Sequence, residues 1–236
     1  MSNQQKVAIV TGASQGLGAA FVRALRERNY NVIATSRSIE ASDDPGILAV
    51  AGDIGFPETA KRVVSTGLAR FGRIDSLINN AGIFIAKPFT QYTETDFASK
   101  IATNVAGFFH ITQAAIGAME GTGSGHVVTI TTSLVDHPTQ QLPSVLASLT
   151  KGGLNAATKS LAIEYASKGI RFNAVSPGII KTPMHSPDTH AWLAALHPIG
   201  RMGEIQDVVD AVLYLEFAAF VTGEILHVDG GQSAGH

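Results

Sequence analysis

The chain has 236 residues, of which 45% are apolar and 15% charged, and its formal net charge at pH 7 is −2. This composition is sufficient for a buried core and excludes an intrinsically disordered chain. The near balance of charge, without a cluster of Lys or Arg, argues against a nucleic-acid or anionic-membrane surface. The absence of cysteine excludes disulfides, thiolate metal sites and a cysteine nucleophile.

The first residues, MSNQQKVAIVTG, pass from a polar segment directly into a strand-like run without a secretory signal. No run in the sequence approaches the roughly 20 apolar residues that are needed to cross a bilayer. We therefore expect a soluble, cytoplasmic protein that binds neither membrane nor nucleic acid.

Short apolar runs alternate with helical patterns along the whole chain. The predicted strands are, in order, KVAIVTG, YNVIATSR, GILAVAGDI, IDSLINNAG, GHVVTITTS, IRFNAVSPG and GEILHVDGG. Helical patterns lie between them, including one from Glu94 to Met119 with a break near Asn104 and one that ends near Lys168. Continuous apolar strands separated by helices indicate a parallel sheet buried on both faces. We predict one α/β domain over residues 1–236, a doubly wound Rossmann fold of about seven strands.

The turn after the first strand, VTGASQGLGAA, is rich in glycine and opens a helix. Glycine allows the backbone to approach a pyrophosphate, and a helix N-terminus offers free N–H groups and the positive end of the helix dipole. The GxxxGxG spacing differs from the common GxGxxG, but the position of the turn favours a dinucleotide-binding loop over a plain tight turn. The residues predicted to bind the cofactor here are Gly12, Ser14, Gln15, Gly16, Leu17 and Gly18.

Five further motifs follow in order: GDI with Asp53, NNAG ending at Gly82, NVAG with Asn104, SPGIIKTPM and the terminal VDGG. Together with the glycine-rich turn, they resemble the short-chain dehydrogenase/reductase superfamily over nearly the whole chain. The resemblance implies a nicotinamide cofactor and, by family analogy, a homotetramer (or homodimer) that packs partly through the helix carrying Lys151.

The resemblance also assigns roles to individual residues. Asp53 and Ile54 would hold the adenine, and the segment from Ile179 to Thr182 would touch the nicotinamide carboxamide. Asn80, Ala81 and Gly82 would line the cofactor ribose, although an asparagine at this strand end can also tie neighbouring strands. The cofactor-binding residues assigned around the end of the sixth strand are Pro177, Gly178, Ile180 and Thr182.

The end of the second strand determines which nicotinamide cofactor is preferred. A carboxylate there would bind the ribose hydroxyls and repel a 2′-phosphate. This chain instead has Ser36 followed by Arg37, a small hydroxyl and then a guanidinium suited to a phosphate. We predict NADP(H), with NAD as the alternative; Arg37 would otherwise be a solvated loop charge.

In the family, a Tyr and a Lys four residues apart share one helix face, with a Ser at the preceding strand end and an Asn on the helix before that. The lysine binds the nicotinamide ribose and lowers the pKa of the phenol, which then exchanges a proton with the substrate. Here Lys151 and Asn104 match the lysine and the asparagine. Four residues before Lys151 stands Ala147, and no Tyr lies between Asn104 and Lys151.

A Tyr→Ala replacement would give the same sequence, but the atypical neighbours Leu146, Ser148 and Leu149 favour natural divergence. The serine assignment is ambiguous as well. Ser133 ends the fifth strand, yet strict family spacing from Ala147 selects Leu134.

Several groups are candidates to replace the phenol as proton donor. His137 lies in the loop that faces the nicotinamide in the family fold, and an imidazole titrates near neutrality; its alternative is a solvated loop histidine. Ser133, or a water held by Lys151 and Asn104, is the other candidate. Gln140 and Gln141 could only orient a carbonyl, and Tyr92 is expected to lie at the surface.

The segment of about 183–203 is expected to form a substrate lid. Its apolar residues Met184, Trp192, Leu193 and Leu196 indicate a pocket for an apolar or flat substrate. His185, His190 and His197 are spaced too loosely for a metal site, so no metal is predicted, and they are expected on the loop or helix surface.

Three functions remain open at this point. The first is an NADP(H)-dependent oxidoreductase that acts without a tyrosine acid on an activated small molecule such as a quinone, an imine or a polarised carbonyl. The second is an ordinary carbonyl or alcohol oxidoreductase with His137, Ser133 or water as proton donor. The third is a catalytically silent NADP(H)-binding sensor or scaffold.

Overall fold

Seven parallel strands form one sheet in the order β3-β2-β1-β4-β5-β6-β7, which confirms the predicted doubly wound α/β fold. The computed structural model describes residues 5–235. Each strand lies within one of the apolar runs that the sequence indicates. The strands are β1 (Val7–Thr11), β2 (Asn31–Ser36), β3 (Ile47–Ala51), β4 (Ser76–Asn79), β5 (Gly125–Ile130), β6 (Ile170–Pro177) and β7 (Ile225–Val228).

Helices cover both faces of this sheet because alternate strand residues point to opposite faces. In β1, Ala8 and Val10 pack into one hydrophobic cluster with α1 (Gly16–Glu27) and α7 (Ile205–Phe217). Val7 and Ile9 pack into the other. Its helices are α2 (Pro57–Phe71), α4 (Gly107–Glu120) and α5 (Val145–Tyr165). Among the described residues, no helix has both the length and the apolar character needed to span a bilayer.

The helix that carries Asn104 is interrupted at the predicted place. A capping box between Thr93 and Asp96 begins α3 (Glu94–Lys100). Residues Ile101–Ala106 then form a π-helical segment before α4. Such segments are rare and occur frequently at functional sites.

The order of the strands places a crevice at the carboxyl end of the sheet. The chain moves outward from β1 to β2 and β3, then crosses to β4 on the other side of β1. Ligands bind at such switch points in open parallel sheets. After β6, a segment containing α6 (His190–Ala194) covers this end, and its Leu193 and Met202 pack with Ile179.

Candidate active site

A groove of about 330 Å³ lies at the carboxyl ends of β1 to β4. It gathers residues from the glycine-rich turn, the end of β2, the GDI and NNAG motifs and the segment after β6. The structure therefore brings together most of the predicted cofactor-binding residues in one continuous surface. These are Gly12, Ser14, Gln15, Gly16, Leu17, Ser36, Arg37, Asp53, Ile54, Asn80, Ala81, Gly82 and Thr182.

The glycine-rich turn packs too tightly for side chains at two positions. Gly12 has a φ of +65°, and a Cβ there would lie 2.9 Å from Asn80 Nδ2. A Cβ on Gly18 would lie only 2.1 Å from the carbonyl oxygen of Gly12. Gly18 does not line the groove; its absence of a side chain lets α1 start directly against the turn. The N-cap residue Gln15 makes no side-chain capping bond, so the first N–H groups of α1 are available to an anion.

The end of β2 presents polar atoms without partners to the same groove. The hydroxyls of Thr35 and Ser36 are buried and have no hydrogen-bond partner among the described residues. Buried polar groups are almost always bonded, so this pair indicates a ligand that supplies the missing partners. Arg37 is exposed beside them and forms no ion pair with a described carboxylate.

Asn80 ties two neighbouring strands together and also lines the groove, the two roles considered for it from the sequence. Its Nδ2 donates to the carbonyl oxygens of Thr11 at 2.9 Å and Gly12 at 3.3 Å, which ties β1 to the end of β4. The Ala81 amide donates to Thr11 Oγ1 at 2.9 Å. These bonds fix the strand end while Asn80 still lines the groove.

A second, mostly apolar cavity of about 180 Å³ adjoins the groove beneath the lid. Both spaces are lined by Leu17, Asn80, Gly82, Ile83, Thr182 and Met184, so the two are continuous. The remaining walls come from the loop after β4, the end of β5, α5, the segment after β6 and the lid. They include Phe84, Thr131, Thr132, Leu134, Leu142, Ala147, Lys151, Pro177, Gly178, Ile179, Ile180 and His185.

Ala147 and Lys151 lie one turn apart on α5 and both face this cavity. Lys151 Nζ donates to the Ile130 carbonyl oxygen at 2.6 Å. Burial, together with the positive charge of Lys100, lowers the pKa of Lys151 to about 8. A methyl group at residue 147 leaves the space beside this amine open to a substrate atom.

Asn104 holds the loop after β4 against α5. Its Oδ1 accepts from the Ile83 amide at 2.9 Å, and its Nδ2 donates to the Ile83 carbonyl oxygen at 3.2 Å and to Thr150 Oγ1 at 3.3 Å. A Cβ on Gly82 would lie 3.4 Å from both Asn104 Oδ1 and Lys151 Nζ. The glycine therefore leaves a narrow space between these two polar atoms.

The structure does not bring Ser133 or His137 to the cavity. Ser133 is buried, and its Oγ donates to Gln232 Oε1 at 2.8 Å, which ties the end of β5 to the C-terminal segment. His137 is half-buried and lines neither space. Leu134, the residue that strict spacing selects, does line the cavity. Gln140 and Gln141 are exposed outside it.

Thr132 and His185 are polar residues of the cavity that were not predicted to lie there; His185 was expected on the loop or helix surface. Thr132, at the end of β5, lines the cavity, and its Oγ1 accepts a long bond from the Leu134 amide at 3.4 Å. The threonine stands directly before Ser133, so a count from the strand end could have found it. His185 enters from the lid, and burial, aided by the charge of His190, lowers its pKa.

Two other lid residues, His197 and Trp192, also differ from the sequence expectation. His197 is not at the surface: it is 4% exposed, its Nδ1 donates to the Leu193 carbonyl oxygen at 3.0 Å, and its Nε2 accepts from the Ile179 amide at 2.9 Å. These two bonds pin the lid to the end of β6. Trp192 is 45% exposed and lines neither space, whereas Met184 lines both.

Known proteins are similar to this chain in both sequence and structure. A family model described as Enoyl-(Acyl carrier protein) reductase matches residues 12–233. The chain is 34% identical over 248 residues to the 3-oxoacyl-[acyl-carrier-protein] reductase FabG of Escherichia coli, covering 98% of this chain and 99% of that protein. It is 35% identical over 246 residues to a cis-4-hydroxycyclohexanecarboxylate dehydrogenase of Sinomonas cyclohexanicum, covering 98% and 97% respectively.

Solved structures give the same result. ElxO with NADP bound superposes with a TM-score of 0.91 at 29% identity, covering 98% of this chain and 100% of that one. The aldohexose dehydrogenase of Thermoplasma acidophilum in ligand-free form gives 0.89 at 27% identity, covering 99% and 96%. With the ordered motifs and the glycine-lined groove, these matches lead to one conclusion: the chain belongs to the short-chain dehydrogenase/reductase superfamily.

Proposed function

We propose that this protein is an NADP(H)-dependent oxidoreductase that transfers hydride to or from a small, activated substrate without a tyrosine acid. The observation that carries the proposal is that two spaces are joined at Asn80, Gly82 and Thr182, which line both of them. One is a polar groove with unpartnered hydroxyls. The other is an apolar cavity in which Lys151 lies one helical turn from Ala147, with its Nζ 3.4 Å from the position of a Cβ on Gly82. The relatives named as reductases and dehydrogenases, and the NADP-bound ElxO structure, support the same reaction class.

The residues of the groove fit such a cofactor. The glycine-rich turn and the uncapped start of α1 would hold the pyrophosphate, and Asp53 with Ile54 would flank the adenine. Ser36 and Arg37 would hold the ribose with its 2′-phosphate, since a guanidinium binds phosphate strongly. Lys151 would bind the nicotinamide ribose, with the nicotinamide against Pro177, Gly178, Ile180 and Thr182. When bound, NADP(H) supplies or accepts the hydride.

The cavity would hold the substrate. Phe84, Leu134, Leu142 and Ile179 make its walls mostly apolar, which favours a flat or apolar molecule. The lid of about residues 183–203 would cover it, with Met184 and His185 facing inward. The Thr132 hydroxyl, in the wall of this cavity, would donate a hydrogen bond to a substrate oxygen.

An alanine at residue 147 restricts the substrates that react usefully. Loss of a positioned general acid costs about 10²–10⁴ in rate. A quinone, an iminium ion or a polarised carbonyl needs less help from a proton donor than a simple ketone does. The ordinary carbonyl enzyme with His137 or Ser133 as acid is less favoured because both side chains lie outside the cavity.

The experiment that tests the proposal measures NADPH oxidation against a quinone, an imine, a polarised carbonyl and simple ketones. We expect turnover of activated substrates and at most slow turnover of ketones. Tight NADPH binding by calorimetry without turnover of any of them would instead support a silent sensor. Introducing Ala147→Tyr supplies the missing phenol beside Lys151, and we expect it to raise ketone reduction by about 10².

We also propose that the protein is a homotetramer or homodimer that packs partly through α4 and α5. Large apolar side chains on these helices are exposed: Phe109 at 54%, Leu149 at 58% and Ile163 at 82%. Exposed apolar side chains on neighbouring helices are typical of a contact surface. Light scattering after size-exclusion chromatography tests this, because Leu149→Lys with Ile163→Lys should lower the measured mass to that of a monomer.

A further inference from the structure

Lys100 is a buried amine that the proposed cofactor contacts do not use. Its side chain has no exposed surface, and its Nζ has no hydrogen-bond partner among residues 5–235. The nearest aromatic contact is with Phe84, whose ring centroid lies 5.2 Å from Nζ. An unpaired ammonium is expensive to bury, and this residue is therefore expected to have a role other than stabilising the fold.

The position of Lys100 ties it to the active site. It is the last residue of α3, directly before the π-helical segment and four residues before Asn104. Phe84, which covers its ammonium, lines the substrate cavity beside Lys151. Burial and, after it, the positive charge of Lys100 lower the pKa of Lys151.

No described carboxylate forms an ion pair with either amine. The nearest acidic residue along α3, Asp96, is engaged by Lys87 at 2.6 Å and by the helix cap. The groups that contact the lysines from the loop and β5, the Phe84 ring and the Ile130 carbonyl, carry no formal charge. The other titratable group at the cavity is His185, from the lid.

Resting on the function proposed above, we infer that Lys100 and Lys151 form a like-charge pair that replaces the family phenol. Lys151 is the group that donates the proton to the substrate oxygen, and Lys100 is a positioning residue whose charge promotes that donation. The open space at Ala147 lets the substrate oxygen reach Lys151 Nζ directly.

In this step, a carbonyl substrate accepts one hydride and one proton. The carbonyl carbon gains hydride and its π bond breaks, while an N–H bond of Lys151 breaks and an O–H bond forms. The carbonyl is reduced to the alcohol and NADPH is oxidised to NADP⁺. Lys151 is left as a neutral amine and regains its proton from solvent.

The acidity of both lysines suits this step. Burial lowers the pKa of Lys100 to about 8, and burial with the Lys100 charge lowers that of Lys151 to about 8. A general acid works best when its pKa lies near the working pH. A neighbouring cation is a known means of making a lysine more acidic.

Lys100→Met tests the pair because it removes the charge and keeps the volume. Lys159→Met, an exposed lysine on α5, is the matched control. In the wild type, kcat for a polarised carbonyl should fall as pH rises through about 8. In Lys100→Met the fall in kcat should occur at a pH about one unit or more higher than in the wild type. At pH 7, kcat should be about tenfold lower. The control should change neither.

Two readouts do not depend on turnover. Lysine labelled with ¹³C at Cε, with the signal of residue 151 assigned by Lys151→Arg, reports the pKa of Lys151 by NMR, and Lys100→Met should raise it. The free energy of unfolding of Lys100→Met at pH 7 should also exceed that of the wild type. A residue retained for packing would instead lose stability on substitution.

Unchanged titration of Lys151 and an unchanged pH dependence of kcat in Lys100→Met would overturn the inference. A fall in kcat centred below pH 6.5 that disappears in His185→Gln would also overturn the inference. The lid histidine would then be the group that donates the proton. If no substrate is turned over, the proposed function fails, yet the NMR titration still decides whether Lys100 controls Lys151.

Discussion

The two ends of the parallel sheet bury ionisable groups in opposite ways. At the amino end, Glu216 accepts hydrogen bonds from Tyr30 at 2.9 Å, Ser76 at 2.6 Å and His126 at 2.7 Å, so its buried carboxylate is fully partnered. At the carboxyl end, the buried Lys100 has no partner among the described residues. A satisfied buried network rigidifies a fold, whereas an unsatisfied buried group calls for a ligand or a catalytic role.

This contrast separates stability from function within one domain. Changes at the Glu216 cluster should reduce the free energy of unfolding and leave the kinetics of folded molecules unchanged. Changes at the carboxyl end should reduce kcat without reducing the free energy of unfolding.

Lys151→Met should have the largest effect on activity. The substitution removes the amine beside Ala147 while keeping an apolar side chain of similar length, so kcat should fall by about 10²–10⁴. Steady-state kinetics with NADPH and a polarised carbonyl measures this, with Lys159→Met as control. The free energy of unfolding should not decrease; a loss of stability as large as the loss of rate would contradict the division.

Glu216→Gln should have the largest effect on stability. It removes the charge that three buried donors share, and hydrogen bonds to charged groups are the stronger ones. The free energy of unfolding in urea should fall by about 2–4 kcal/mol. Per folded molecule, kcat should stay at the wild-type value, and a lower kcat would break the proposed separation.

The same cluster predicts how stability depends on pH. Burial lowers the pKa of His126 below 6.5. Burial alone would raise the pKa of Glu216, but the bonds from His126, Ser76 and Tyr30 outweigh it and hold the pKa below its ordinary value. In both cases the unfolded state binds more protons, so stability is lost as pH falls. Urea denaturation should show the loss beginning near pH 6.5, and Glu216→Gln should flatten its more acidic part.

Arg37→Gln tests whether the end of β2, with Ser36 and Arg37, binds the 2′-phosphate of NADPH. The guanidinium would bond the 2′-phosphate, so its loss should weaken NADPH binding by about 10–100-fold. NADH, which lacks this phosphate, should bind about as before. Calorimetry with both cofactors measures the difference, and equal weakening of the two would assign Arg37 to another role.

Thr132→Val should give the smallest effect. It removes one hydroxyl from the cavity and keeps the shape of the side chain, so kcat/KM should fall about five- to tenfold. Ser133→Ala is the matched control, because Ser133 Oγ bonds Gln232 and lies outside the cavity. A larger loss of kcat/KM in Ser133→Ala than in Thr132→Val would show that Ser133, not Thr132, acts as the family serine.

The sequence allowed the sheet and the groove to be predicted because their signals are local. Apolar runs such as VAIVT mark strands, and the groove residues lie in short motifs that follow strand ends. The arrangement of the cavity was less accessible. The loop between β5 and α5 decides whether Thr132, Ser133 or Leu134 faces the substrate, and a count of residues does not fix its path.

Burial of polar residues was the other feature that the sequence did not reveal. Lys100 is a lysine in a short helix, a position usually exposed, yet it is fully buried and the Phe84 ring packs over its ammonium. His197 lies in the lid and is 4% exposed; its ring bonds the Leu193 carbonyl oxygen four residues away and the Ile179 amide after β6. The contacts with Phe84 and Ile179 join different segments of the chain.

The proposed function requires hydride to pass between the groove and the cavity without a phenol. Its most direct test uses NADPH carrying deuterium at C4 of the nicotinamide, in either configuration, with a polarised carbonyl substrate and the wild-type protein. We expect mass spectrometry to show one deuterium on the product carbon from one configuration and none from the other. Reduced product without deuterium from either configuration, or cofactor binding without any product, would contradict the account.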